Sequence, residues 1–328
     1  MRGRSQAPQR SVSCAATAPP RLRLAPPPPP AMSLRFSANV SWLFPELRAL
    51  PARLEAAAAA GFGAAEAAWP AGCPAEELRA AAERAGVRIV LLNTPPGDQE
   101  AGEMGLAAVP GRQAAFRQGL ATAVQYAKAV GCGSLQTPAC GATALTRSLG
   151  ADPTLIHLMA GRVPLGTDRA AVAGEMETTF IENLRYAAGL LAQEDMIGLV
   201  EPINNRITDP RYYLNTPQQG KADISPQSLL EGRRRDLFHC QIMDGNLTSP
   251  IPSLGHIQIA QVPGRHEPDS PGELNFPYIF ELLESLGYTG YVGCEYAPKG
   301  DTMEGLGWLR TYWESRGLQH GGTNKAAE

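Results

Sequence analysis

Four side chains able to do acid–base or metal chemistry stand in runs that are otherwise apolar. Glu201 closes the apolar part of G-L-V-E-P-I-N, and Glu295 closes Y-V-G-C-E-Y. Gln258 lies inside H-I-Q-I-A-Q, and Asp236 opens D-L-F-H. A carboxylate buried alone is prohibitively costly, so each acid must be paired or hold a cation. Taken singly, each reads as a structural hydrogen-bonder. Taken together, three carboxylates and an amide oxygen form an all-oxygen set suited to Mg2+ or Mn2+, not to zinc. Glu66, Asn93, His157 and His239 occupy comparable positions. Glu66 either orients a substrate hydroxyl or pairs with Arg35 or Arg88. His157 and His256 sit on apolar runs, where a histidine hydrogen-bonded in the core is the commoner case; both are candidates to orient ligands from behind.

Those residues need elements to carry them. Short β-rich runs are expected at Leu34–Ala38, Ala64–Trp69, Arg88–Asn93, Leu155–Ala160, Gly198–Ile203, Arg235–His239, His256–Val262 and Tyr291–Tyr296. Helical patterns fall between them at Leu50–Ala60, Pro74–Ala85, Gln113–Val130, Ala170–Gln193, Pro277–Leu286 and Met303–Ser315. Strands spaced by helices make βαβ units with a parallel sheet, and eight of them close into a single (β/α)8 barrel, an α/β fold. Gly61, Gly86, Gly131 and Gly287 stand where helices should stop, at the left-handed cap position. Barrels of this kind carry their chemistry at the C-terminal ends of the strands. Glu201, Asp236, Gln258 and Glu295 lie on four successive strands, the last four of the eight. Trp42 and Phe44 follow the first strand, as an apolar wall of the pocket or as plain packing.

The bulk numbers agree with one barrel. The chain has 328 residues, 44% of them hydrophobic, with 29 basic against 32 acidic side chains and a formal net charge of −3. That balance gives no reason to expect a nucleic-acid partner. Six scattered cysteines without C-x-x-C spacing read as reduced thiols of a cytoplasmic protein. No apolar run approaches the roughly 20 residues of a membrane span. Residues 1–31 differ from the rest: they hold Pro26–Pro30 and five arginines, and no acid occurs before Glu46. They are expected to be a disordered extension ahead of Met32. The alternative is a mitochondrial transit peptide. Residues 319–328 are expected to be a disordered tail after a barrel spanning 32–318.

The segments L-L-N-T-P-P-G-D (91–98), H-L-M-A-G-R (157–162), E-P-I-N (201–204), D-L-F-H (236–239), H-I-Q-I-A-Q-V-P-G-R-H-E-P (256–268), G-E-L-N-F (272–276) and V-G-C-E-Y (292–296) resemble the hydroxypyruvate isomerase family of xylose-isomerase-like barrels. The resemblance runs from about Leu34 to Trp313. It implies a metal-dependent aldose–ketose isomerase that interconverts hydroxypyruvate and tartronate semialdehyde through an enediolate. It also implies that Glu201, Asp236, Gln258 and Glu295 hold the metal, with Glu201 and Glu295 as the acid/base pair. By similarity to related ketose epimerases, His239 and Arg265 contact the substrate. Arg265 suits a substrate carboxylate, which its planar fork binds through two hydrogen bonds. The other reading of Arg265 is an ion pair with Glu267 or Glu273. The expected partner is one small molecule, and the oligomeric state is left open.

Two regions depart from that resemblance. Residues 134–154 look like an insertion ahead of the fourth strand. The stretch S-L-L-E-G-R-R-R-D places three arginines where an apolar sixth strand belongs, which puts Asp236 and His239 in question. Two alternatives follow: a ketose 3-epimerase of the same fold, or an inactive form with a disrupted sixth strand.

Overall fold

The run R-I-V-L-L-N forms strand β3 (Arg88–Asn93) with its four central residues buried, as a parallel strand covered on both faces requires. The following helix, α3 (Gln113–Val130), repeats apolar residues at helical spacing. Phe116, Leu120, Ala123, Val124, Ala127 and Val130 are its buried side. Helix α2 (Ala75–Ala85) carries Glu76 and Glu77 in its first turn and Arg84 in its last, which suits the helix dipole. Gly86 and Gly131 close α2 and α3 with positive φ, 66° and 79°, the conformation a side chain would penalise.

The computed structural model describes residues 33–131, 153–216, 219, 234–248 and 255–322. The remaining elements are β1 (Arg35–Asn39), α1 (Leu50–Ala59), β2 (Ala64–Ala67), β4 (Thr154–His157), α4 (Arg169–Gln193), β5 (Met196–Leu199), β6 (Arg234–Asp236), α5 (Leu237–Met243), β7 (His256–Ile259), α6 (Phe276–Ser285), β8 (Tyr291–Cys294), α7 (Thr302–Gly305) and α8 (Gly307–Ser315). All eight strands join one sheet in the order β5-β4-β3-β2-β1-β8-β7-β6, and every described pairing is parallel.

The sheet is curled. Strands β2 and β7 are separated by β1 and β8, so a flat sheet would hold them about 14 Å apart. Instead Glu66 on β2 reaches His256 and Gln258 on β7 at 3.0 and 2.6 Å. The two sheet ends also approach at their C-terminal edge. Glu201, two residues past β5, lies 3.9 Å from His239, three residues past β6. Outside the sheet, Phe36, Phe280, Trp308 and Tyr312 form one aromatic cluster joining β1 to α6 and α8. Among the described residues no helix is long and apolar enough to cross a membrane.

Several strands end earlier than expected, β4 at His157, β5 at Leu199 and β7 at Ile259. The residues beyond them leave the sheet and become the loops that carry the site. The sixth strand needs the largest correction. It was expected over Arg235–His239, but it ends at Asp236, and a seven-residue helix begins at once. The cause is Asp236 itself, whose carboxylate caps that helix by accepting from Phe238 N at 2.8 Å. His239 is therefore a helical residue, one turn past the strand. The strand still registers with β7, Arg234 against His256 and Asp236 against Gln258.

Residues 1–31 and most of the expected insertion lie outside the described residues. Thr154, its last residue, is the first of β4 and pairs with Met196. Of the 319–328 tail, His320 lies against the end of α1, its Nε2 3.1 Å from Ala59 O; residues 323–328 are outside the description.

Candidate active site

Register puts the candidate residues on one face. Asp236 pairs with Gln258, and Gln258 with Gly293. Glu295 lies two residues past Gly293, on the same side by the strand's period of two. Asn39 ends β1, opposite Glu66 of β2.

At the mouth of the barrel three groups converge. Ligand atoms of Glu201, Asp236 and His239 all lie within 4.8 Å of one another, and all three residues are buried. Asp236 divides its carboxylate between two tasks. Oδ1 caps α5, while Oδ2 faces the site, 3.5 Å from His239 Nε2 and 3.1 Å from Arg265 Nη2. Glu201 has imidazole nitrogens of His157 and His239 at 3.6 and 3.9 Å. His157 is held from behind by Asn93, Nδ1 to Oδ1 3.2 Å.

Arg265 ties Glu295 into this group. Its Nη2 donates to Glu295 Oε2 at 3.0 Å as well as to Asp236 Oδ2. The other oxygen of Glu295 accepts from Asn39 Nδ2 at 3.0 Å. The ion-pair alternative for Arg265 takes the form of this bridge rather than a pair with Glu267 or Glu273. Glu267 instead accepts from Lys299 N, and Glu273 from Gln241 Nε2. The guanidinium is packed between the rings of Trp42 and Phe238, at 4.4 and 4.9 Å, a contact worth about 0.5–2 kcal/mol each. Trp42 thus walls the site, while Phe44 is plain core. Arg265 has φ +54°, rare for a side chain of that bulk. The turn is held by Arg265 N to Gln261 O at 2.7 Å and Ala297 N to Arg265 O at 2.8 Å. The guanidinium Nε is buried with no hydrogen-bond partner among the described residues.

Below the mouth lies a further carboxylate. Glu66 is fully buried and accepts from Ser37 Oγ at 2.5 Å, Gln258 Nε2 at 2.6 Å and His256 Nε2 at 3.0 Å. Its side chain covers Gly293, where any Cβ would collide with the carboxylate. Because an ionised carboxylate only accepts, it fixes which end of the Gln258 amide is the nitrogen. The amide oxygen is then the atom Gln258 can offer elsewhere.

Cys294 and Tyr296 flank Glu295. Burial pushes the Cys294 thiol and the Tyr296 phenol well above their usual ranges, so neither competes as a nucleophile or base near neutrality.

The structure therefore gathers Glu201, Asp236, His239, Arg265 and Glu295, and links Gln258 to Glu66 beneath them. The roles of Asn39 and Asn204 were not foreseen. Asn39 ends R-F-S-A-N as Asn93 ends R-I-V-L-L-N, so the signal was present in a polar residue closing an apolar strand. Asn204 sits in E-P-I-N beside Glu201 and is fully buried.

Residues 54–312 match the family described as "Xylose isomerase-like TIM barrel". A human protein named "Putative hydroxypyruvate isomerase" is 60% identical over 297 residues, covering 88% of this chain and 99% of that protein. The protein named "2-oxo-tetronate isomerase" of Cupriavidus necator is 42% identical over 283 residues, covering 85% and 98%. A crystal structure described as AP endonuclease, family 2 from Brucella melitensis aligns with a TM-score of 0.72 at 38% identity, covering 85% of this chain and 99% of that one. The chain belongs to the hydroxypyruvate isomerase group of the xylose isomerase-like TIM barrels and is an isomerase with a small-molecule substrate.

Proposed function

We propose that the chain interconverts hydroxypyruvate and tartronate semialdehyde (2-hydroxy-3-oxopropanoate) at the mouth of the barrel. The observation that carries this is the buried convergence of Glu201, Asp236 and His239 within 4.8 Å, with Glu295 joined through Arg265. In this reading Glu201, Asp236, Gln258 and Glu295 hold a Mg2+ or Mn2+ ion. The donor set fits: three carboxylates and an amide oxygen are hard ligands. When bound, such an ion would supply charge stabilisation for an enediolate.

The protein's own groups do the rest. The proton on C3 of hydroxypyruvate passes to one carboxylate of the pair Glu201 and Glu295, and a proton returns to C2 from the pair. The C3 hydroxyl gives up its proton as it becomes the aldehyde, and the C2 oxygen gains one. Atoms and electrons balance with no redox partner. Arg265, with its buried Nε available, binds the substrate carboxylate through two N–H groups. His239 contacts a substrate oxygen.

A nuclease reading, raised by the Brucella neighbour, is disfavoured by the formal charge of −3, which gives a polyanion no field to follow. The Cupriavidus relative favours a second substrate, the four-carbon 2-oxo-tetronate. The test is proton NMR in D2O with either compound, with Mg2+ or Mn2+ and then with chelator. Formation of tartronate semialdehyde with solvent deuterium at C2, stopped by chelator, is expected. Turnover of 2-oxo-tetronate alone would move the assignment to the longer acid. No turnover of either would overturn it.

A further inference from the structure

The two ring nitrogens of His239 keep different company. Nε2 faces the acids, 3.5 Å from Asp236 Oδ2 and 3.9 Å from Glu201 Oε1. On those distances His239 could serve as a third ligand beside two carboxylates. Nδ1 points the other way, toward Asn204. The side-chain Nδ2 of Asn204 lies 2.7 Å from it, and the backbone nitrogen of Asn204 donates to it at 3.4 Å.

Both Asn204 groups are donors. A backbone N–H has no other role. The amide is fixed independently, because its Oδ1 accepts from Ile207 N at 3.0 Å and Thr208 N at 3.1 Å. Exchanging oxygen and nitrogen would set donors against donors there. The same Nδ2 also donates to Thr208 Oγ1 at 2.8 Å. With two N–H groups aimed at it, Nδ1 must keep its lone pair, and a neutral imidazole then carries its proton on Nε2. Arg265 Nη1 lies 3.5 Å from Nε2, too far to outweigh a bond of 2.7 Å on the opposite nitrogen.

We propose that Asn204 is a positioning residue that sets the Nε2–H tautomer of His239. That proton keeps the imidazole out of a cation's ligand shell, since a ligating nitrogen needs its lone pair. It makes His239 a hydrogen-bond donor to a substrate oxygen and leaves the cation an all-oxygen set. The donor role rests on the isomerase site proposed above; the tautomer does not.

Long-range proton–nitrogen correlation spectra of the metal-free full chain, labelled with 15N-histidine and held slightly alkaline, read the tautomer directly. His239→Gln identifies the signal among the five histidines. The unaltered protein is expected to show a bare Nδ1 and a protonated Nε2; a protonated Nδ1 overturns the proposal. Asn204→Asp sets an acceptor against Nδ1 and is expected to reverse the tautomer. The lone pair of Nε2 then faces the acids, and calorimetry should show the Zn2+ to Mg2+ affinity ratio rising at least about tenfold. A folded Asn204→Asp protein that keeps Nε2–H overturns the positioning role. If that variant does not fold, Asn204→Ala replaces it, with mixed tautomers expected and a pure Nε2–H signal counting against the proposal. No isomerisation by an unaltered protein that shows the Nε2–H tautomer removes the isomerase reading and the donor role, not the tautomer.

Discussion

Two buried carboxylate–imidazole groups lie within the same barrel, and their spacing differs. Inside the barrel, Glu66 meets His256 at 3.0 Å, with Ser37 and Gln258 at 2.5 and 2.6 Å. At the mouth, Glu201 has its two imidazoles at 3.6 and 3.9 Å. The residue types are alike, but in the first group the carboxylate and imidazole are in direct hydrogen-bond contact, and in the second they stand 3.6 and 3.9 Å apart. Three such bonds hold the fully buried Glu66 within the barrel. At the mouth, carboxylate oxygens of Glu201 and Asp236 stand 3.5–3.9 Å from imidazole nitrogens, and ligand atoms of Glu201, Asp236 and His239 lie within 4.8 Å of one another. The inner group also supports the outer one, because Glu66 sets the direction of the Gln258 amide.

The comparison can be broken by exchanging the consequences of losing each acid. Glu201→Gln and Glu295→Gln should each lower kcat/KM by about 10²–10⁴-fold, the usual worth of a placed acid or base. Their melting temperatures should stay the same or rise, since a buried charge is removed at a site built for function. Glu66→Leu should do the reverse of this and destabilise the fold by about 3–5 kcal/mol, by stranding His256 and the Gln258 amide. Chemical denaturation checks it. A Glu66→Leu protein that melts normally, or a Glu201→Gln protein that does not fold, would erase the distinction drawn between the groups.

Smaller effects sharpen it. Arg265→Lys should raise KM for hydroxypyruvate about 10–100-fold, because a charged hydrogen bond contributes about 1.5–3 kcal/mol and lysine has no fork. An unchanged KM would return Arg265 to a purely structural bridge between Asp236 and Glu295. Trp42→Ala removes one of the two rings packed on that guanidinium. It should cost about 1 kcal/mol of substrate binding, a several-fold rise in KM, with kcat nearly unchanged.

How much of this was legible beforehand follows from where the information resides. Strand β3 and helix α3 have the expected bounds because period and composition are local properties. Glu201 and Glu295 were visible because an acid ending an apolar run is anomalous wherever the chain later goes. Strand six was misjudged because its ending depends on one side chain turning back to cap a helix, and D-L-F-H reads equally well as strand. Glu66 was assigned arginine partners or a substrate hydroxyl. Its contacts with His256 and Gln258 come from curling, which brings β2 to β7 across about 190 residues of sequence, and its contact with Ser37 from the neighbouring β1. Asn204 was passed over because a buried asparagine declares its role only through the groups it meets.

The central claim is that the spaced group at the mouth is a cation site. The direct measurement is calorimetric titration of the full chain with Mn2+, beside Asp236→Asn and Glu66→Gln. One Mn2+ per chain is predicted for the unaltered protein. Binding should be lost in Asp236→Asn and weakened about 10–100-fold in Glu66→Gln, as for groups that orient a ligand. Mn2+ bound equally by the unaltered protein and Asp236→Asn would contradict the account, as would chelator-resistant isomerisation by a protein that binds none.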